Sequence, residues 1–274
     1  ANAFNCGPNG RHGYEDRPKA GPWIWERKYE LDSLCHVFLL ALRYGEVTGR
    51  TAFMDDVFFS AAEKMMEIIE TEQQHEQKSA YRFQRFDCPP SDTLKREGLG
   101  TPVAYTGMSW SGFRPSDDAC EYGYFIPANL FAAVMLERFA PVAEKLGHAE
   151  LGARARHLAA EIRRGIEKFG LVKTEEFGEI YAYETDGMGH YRLMDDANIP
   201  SLLSLPYLGI CRTDDPLYQR TRAFVLSRQN PYYFEGSAAK GIGSPHTPEN
   251  FVWPIALCVQ GLTATEPKER AELL

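Results

Sequence analysis

Residues 106–122 read Thr-Gly-Met-Ser-Trp-Ser-Gly-Phe-Arg-Pro-Ser-Asp-Asp-Ala-Cys-Glu-Tyr, which sets an indole (Trp110), a guanidinium (Arg114) and two adjacent carboxylates (Asp117 and Asp118) close together. Cleaving a glycosidic bond needs one carboxylic acid to protonate the departing oxygen and a second carboxylate across the ring. An indole offers the apolar surface on which a pyranose stacks. Asp118, with Glu121 three residues later, also has the spacing of a helix capping box. Asp117 has no such structural use and is the stronger candidate for chemistry.

Three further stretches carry polar residues in patterns that suit a sugar site. In Trp23-Ile-Trp-Glu-Arg-Lys-Tyr-Glu-Leu-Asp-Ser33, the residues Glu26, Glu30 and Ser33 are three or four apart and would share one helix face. An acidic first turn favoured by the helix dipole explains the same residues. Asp195, Asp196 and Asn198 carry the same ambiguity. Around 239–253, glycines let backbone approach a ligand, and His246 and Thr247 offer hydrogen bonds to hydroxyls. Lys240 followed by Gly-x-Gly has the wrong order for a phosphate loop. His246 has no second histidine at ligand spacing, so no metal is expected. Serine-hydrolase, zinc-protease and dinucleotide fingerprints are absent.

The elements that must position these loops are helical. Apolar residues recur at three- and four-residue intervals over about 26–48, 51–75, 118–146 and 149–169, with shorter runs at 199–208, 216–226 and 250–264 and a last helix from about Glu266. Leu171 to Arg192, with a turn at Asp186-Gly187, could form a β-hairpin over the helix ends. Long motif-bearing loops alternate with short turns. Arg114-Pro-Ser-Asp-Asp-Ala119 and Arg192-Leu-Met-Asp-Asp-Ala197 share one pattern just before predicted helices. The expected fold is all-α, an (α/α)6 toroid over 1–274 as a single domain. With about four helical hairpins counted where six are needed, it is expected to be incomplete and cut at both ends, with exposed apolar flanks.

Composition narrows the partners. The 274 residues are 44% hydrophobic with a net charge of -8 and a pI near 5.5, and Lys and Arg are dispersed, so a nucleic-acid partner is not expected. No apolar run reaches the roughly 18 residues of a membrane span. The expectation is a soluble protein, cytoplasmic rather than secreted. The six cysteines show no Cys-x-x-Cys, and Cys35, Cys120 and Cys258 sit in apolar helical patterns as reduced thiols.

Four stretches together resemble glycoside hydrolase family 125: the Trp-Glu-Arg-Lys-Tyr-Glu-Leu-Asp-Ser-Leu-Cys run, Ser-Gly-Phe-Arg-Pro-Ser-Asp-Asp-Ala, Asp-Asp-Ala-Asn-Ile-Pro-Ser-Leu-Leu and Gly-Ile-Gly-Ser-Pro-His-Thr-Pro. The resemblance runs from about Ala3 to the last residue. It implies a six-hairpin toroid and an enzyme, needing neither metal nor other cofactor, that removes non-reducing-end α-1,6-linked mannose from an oligosaccharide or glycan with inversion. It puts the general acid at Asp117 first and Asp118 second, with Glu26, Trp110, Arg114, Asp196, Asn198, Lys240, His246 and Thr247 as substrate contacts. The family's upstream Trp-Leu-Arg-Asp and downstream His-Glu-Ser segments have no counterpart here. The latter resembles the source of the general base, so the segment alone is expected to be inactive. The competing reading is a non-catalytic carbohydrate-binding or scaffold protein derived from such an enzyme.

Overall fold

A computed structural model describes residues 3–10 and 13–273. Its helices in chain order are α1 (Leu31–Thr48), α2 (Asp56–Gln73), the one-turn α3 (His75–Lys78) and α4 (Lys95–Gly98), α5 (Ile126–Lys145), α6 (Ala149–Phe169), α7 (Pro216–Val225), α8 (Pro254–Thr263) and α9 (Pro267–Glu272). Short antiparallel strand pairs fill the loops between them. The fold is therefore mainly helical rather than all-α, and small β elements brace the loops.

Helix α5 is the centre. It packs against α6, to which the tight turn at Gly147 joins it, and against α1. It is long and apolar enough to cross a membrane by length and composition alone, but most of it is buried against neighbouring elements, as in a core helix. Amphipathic α6 turns only one face inward. Helix α2 starts at Asp55, whose side chain accepts the Phe58 N–H at 3.0 Å.

Several predicted helices begin late or fail to form because their backbone donors are committed elsewhere. Ile24–Glu26 pairs with Ala3–Phe4, so α1 begins at Leu31. Glu30 does not cap it; the Leu31 N–H is taken at 3.1 Å by Ser111 from a distant loop. Helix α5 begins at Ile126 rather than near Asp118. The amides of Ala119 and Cys120 bond Ser91 and Gly112, and Tyr124–Phe125 enters a three-stranded sheet with Glu184–Thr185 and Tyr191–Arg192. Asp118 therefore caps no helix. Residues 199–208 form turns instead of a helix. The Leu202 and Leu203 amides bond the Asp195 carboxylate, and Pro206 has no amide to give.

The expected hairpin over 171–192 is resolved into two strand pairings, Leu171–Thr174 with Gly178–Tyr181 and Glu184–Thr185 with Tyr191–Arg192. Cys120 is buried but in a loop, and Cys258 is on α8 but exposed, so each meets half of the helical, apolar setting expected of both. Helix α1 exposes Val37, Leu40, Tyr44 and Val47, and α8 exposes Ile255 and Leu262.

Candidate functional site

The segment 106–123 is stitched to the helices before it carries any chemistry. Asn129 on α5 binds both the amide and the carbonyl of Ser109, at 2.8 and 2.9 Å. The Tyr29 carbonyl accepts the amides of both Gly112 and Phe113. The chain then folds back in a tight turn. The Arg114 amide donates to the Asp118 carbonyl at 2.8 Å, the Asp117 amide donates to the Arg114 carbonyl at 2.9 Å, and Phe113 bridges Ala119. Asp117 sits at the apex with φ 67°, in the left-handed region where Asp is tolerated better than most residues. This gives Asp117 a structural role that its sequence position concealed.

The two aspartates face different surroundings. The Asp117 side chain is 49% exposed, and Lys28 stands beneath it, donating to the Asp117 carbonyl at 2.7 Å with its ammonium 3.8 Å from Oδ1. Asp118 is 4% exposed; its Oδ1 lies 3.2 Å from His246 Nδ1 and its Oδ2 lies 4.0 Å from Arg114. His246 is half-exposed beside it.

The other loops arrive at the same place. Arg114 Nη1 reaches Met194 Sδ at 3.9 Å, the Ala197 amide bonds the Gly243 carbonyl, and Ser244 donates to Asp196 Oδ2 at 3.2 Å. Asp196 Oδ1 accepts from the amide and the side chain of Asn198. Thr247 accepts from the Trp253 indole at 3.1 Å. Segments 27–30, 106–123, 190–201 and 242–247 thus converge, and they bring together Asp117, Asp118, Arg114, Asp196, Asn198, His246 and Thr247. Glu26 lies at the margin, 14% exposed, and accepts from Arg85 at 2.7 Å.

Two expected contacts do not join them. Trp110 is a core residue, 1% exposed. One ring face is covered by His75 at 3.7 Å and Tyr29 also stacks on it, so no sugar can use it as a platform. A β-carbon added at Gly123, Gly112 or Gly100 would come within 2.1, 3.0 or 2.9 Å of the indole, so the three glycines form a slot fitted to it. Lys240 is exposed on the strand Lys240–Ile242 and borders a cleft lined by Glu235, Gln260 and Glu269, away from the aspartates.

A family model, that of the metal-independent α-mannosidases, matches residues 1–274. The chain belongs to glycoside hydrolase family 125. A solved Streptococcus pneumoniae member, in a non-productive substrate complex with α-1,6-mannobiose, is 43% identical with a TM-score of 0.95, covering 98% of this chain and 64% of that one. The meiotically up-regulated gene 157 protein of Schizosaccharomyces pombe is 40% identical over 261 residues, which is 92% of this chain and 51% of that protein. This family 125 chain thus spans about half of its curated relative and under two thirds of its structural one. A bacterial glucoamylase complexed with acarbose shares the fold at a TM-score of 0.52 and 13% identity. Among the described residues, no group of three or more His, Cys, Asp or Glu could hold a metal ion.

The candidate site in this family 125 chain holds more carboxyls than the motifs suggested. Glu184 is fully buried; its Oε2 accepts the amides of Glu121 and Tyr122 at 2.8 and 2.9 Å, and Oε1 faces Arg114 Nε at 3.4 Å. Burial pushes Glu184 up to about 7 against the opposing charge of Arg114. Burial pushes Asp195 up to about 8 despite its two backbone hydrogen bonds, and it raises Asp196 against the pull of Arg114. Asp32 is held well above the usual carboxylate range by burial and then by Glu30. Burial works against the charge on Arg114, but Glu184, Tyr183, Cys120 and Asp196 together outweigh it and hold the guanidinium above its usual value. In sequence, Glu184 sits in a Tyr-Ala-Tyr-Glu-Thr strand pattern with nothing to mark it; only the pairing of Glu184–Thr185 with Tyr124–Phe125 brings it behind the turn.

Proposed function

We propose that this chain supplies most of the active-site cleft of an exo-acting α-1,6-mannosidase that works with inversion. The observation that carries this reading is the turn 113–119 on a family 125 scaffold. It presents a half-exposed Asp117 where four polar loops meet, backed by a nearly buried Asp118. Asp117 gives its proton to the glycosidic oxygen as the C1–O bond breaks and the bonding electrons leave with that oxygen. Water adds to C1 from the opposite face and passes its proton to a second carboxylate, which we place outside residues 1–274. Asn198, His246 and Thr247 hold sugar hydroxyls, with Arg114, Asp196 and Glu26 behind them. The helical hairpins form part of an (α/α)6 toroid, and the apolar stripes of α1 and α8 mark the edges of the arc. On this reading residues 1–274 alone do not turn over substrate.

The test is hydrolysis of α-1,6-mannobiose by the full-length protein, with the first-formed anomer followed by proton NMR. β-Mannose is expected from inversion, whereas α-mannose as the first product would overturn it. No release of mannose from α-1,6-, α-1,2- or α-1,3-mannobiose would overturn the assignment to mannoside hydrolysis.

A further inference from the structure

Lys28 belongs to none of the expected site residues, yet its side chain is 2% exposed beneath the acid turn. A buried ammonium is costly unless its donors are matched. Its partners here are the Asp117 carbonyl at 2.7 Å and the Asp92 carboxylate, with Asp117 Oδ1 at 3.8 Å and Glu26 Oε1 at 4.0 Å. The ammonium also lies 5.1 Å from the centre of the Phe113 ring, at the base of the turn.

Neutralising the neighbouring carboxylates does not by itself require Lys28. Arg85, 3% exposed, already bonds Asp16 at 2.8 Å, Glu26 at 2.7 Å and Asp92 at 3.0 Å. What Lys28 adds is contact with Asp117, to its carbonyl and toward its carboxyl. The carbonyl bond helps hold a left-handed backbone conformation that persists only where its surroundings fix it. Lys28 is itself fixed, because the adjacent Tyr29 carbonyl accepts the Gly112 and Phe113 amides at 3.1 and 3.0 Å. The charge of Lys28 also stands where negative charge grows as Asp117 loses its proton, and a preorganised partner at such a point favours the transition state.

We propose that Lys28 is a positioning residue for the proton donor: it fixes the left-handed turn at Asp117 from beneath and stabilises the carboxylate left after proton transfer. This rests on reading Asp117 as the donor.

The experiment compares Lys28→Met and Lys28→Arg in the full-length enzyme on two substrates. α-1,6-Mannobiose has a leaving group that must be protonated, and 2,4-dinitrophenyl α-mannoside has one that need not be. Lys28→Met is expected to lower kcat on the disaccharide by about 100-fold, the scale of a small misplacement of a catalytic group. KM and turnover of the aryl mannoside should stay close to wild type, and Lys28→Arg should recover most of the loss. Equal losses on both substrates, or an unchanged kcat on the disaccharide, would overturn the proposal. Asp117→Asn separates the two layers. If it loses no more on the disaccharide than on the aryl mannoside, the donor assignment fails, and hydrogen exchange then judges Lys28 alone. Faster exchange at the Asp117 and Ala119 amides of Lys28→Met supports its hold on the turn, and unchanged exchange refutes it.

Discussion

The two flanks of the turn 113–119 are built to opposite specifications. On the Lys28 side the cations are tightly met: Lys28 and Arg85 contact Asp92, Asp117, Asp16 and Glu26, with hydrogen bonds of 2.7–3.0 Å for those measured to Asp117, Asp16 and Glu26. The bond and charge of Lys28, then of Arg85, hold Asp92 below the usual carboxylate range although burial works the other way. On the Arg114 side, acceptors surround the guanidinium at 3.3–4.0 Å. Arg114 Nε, Glu184 Oε1 and Asp118 Oδ2 are all buried without a hydrogen bond among the described residues. Buried polar atoms are nearly always satisfied, and the exceptions concentrate at working sites. The first flank fixes a geometry. The second holds its charges at longer range and leaves buried hydrogen-bonding capacity unmatched among the described residues.

The largest way to break this contrast is Asp117→Asn. It should lower kcat on α-1,6-mannobiose by about 10²–10⁴-fold, the usual contribution of a general acid. Asp118→Asn should cost less, and steady-state kinetics on the pair will show if the order is reversed. Arg114→Met attacks the loose flank instead. It leaves Glu184, Asp118 and Asp196 buried without their cation and should destabilise the fold by about 3–5 kcal/mol, measured by urea unfolding.

The pH dependence sharpens the difference further. Glu184 is raised to about 7 in the folded protein, whereas an unfolded glutamate titrates near about 4.3. Its favourable contribution is therefore complete below the unfolded value and is lost as pH rises through the folded one. Stability should fall between those limits, with Asp195 extending the fall toward about 8. Glu184→Gln keeps one oxygen to accept both amides, so part of that slope should vanish while the fold persists. Melting curves across the range decide it. The smallest effect comes from Gly123→Ala, whose added carbon must push the buried indole aside. A loss of about 1–3 kcal/mol is expected from the overpacking, read as a drop in Tm.

Much of the scaffold was legible because helical periodicity is local. The hairpin formed by α5 and α6, and α2 within the expected 51–75, follow from spacing that neighbours in sequence can satisfy. The starts of α1 and α5 were not legible, because long-range pairing takes their first amides: Ala3–Phe4 for one, Ser91, Gly112 and Glu184 for the other. The same limit shaped the site. The Asp-Asp pair announced itself through residue type, but the left-handed backbone that separates the two roles did not. Lys28 and Glu184 were invisible because their meaning lies in partners 89 and 63 residues away, Asp117 and Glu121. Trp110 misled for the opposite reason. An indole beside carboxylates suits a sugar platform, and only the three glycines lying against it mark it as filling.

Those glycines have a mechanical corollary. Gly100 and the two ends of the 112–123 stretch, Gly112 and Gly123, each rest against one ring. Gly112 is also hydrogen-bonded to Tyr29, next to the lysine under the acid turn. The indole thus works as a keystone. Force applied to the turn is shared among the backbone stretches that meet at this ring and passed into the helix layer below, so the loops should yield as a whole or hardly at all.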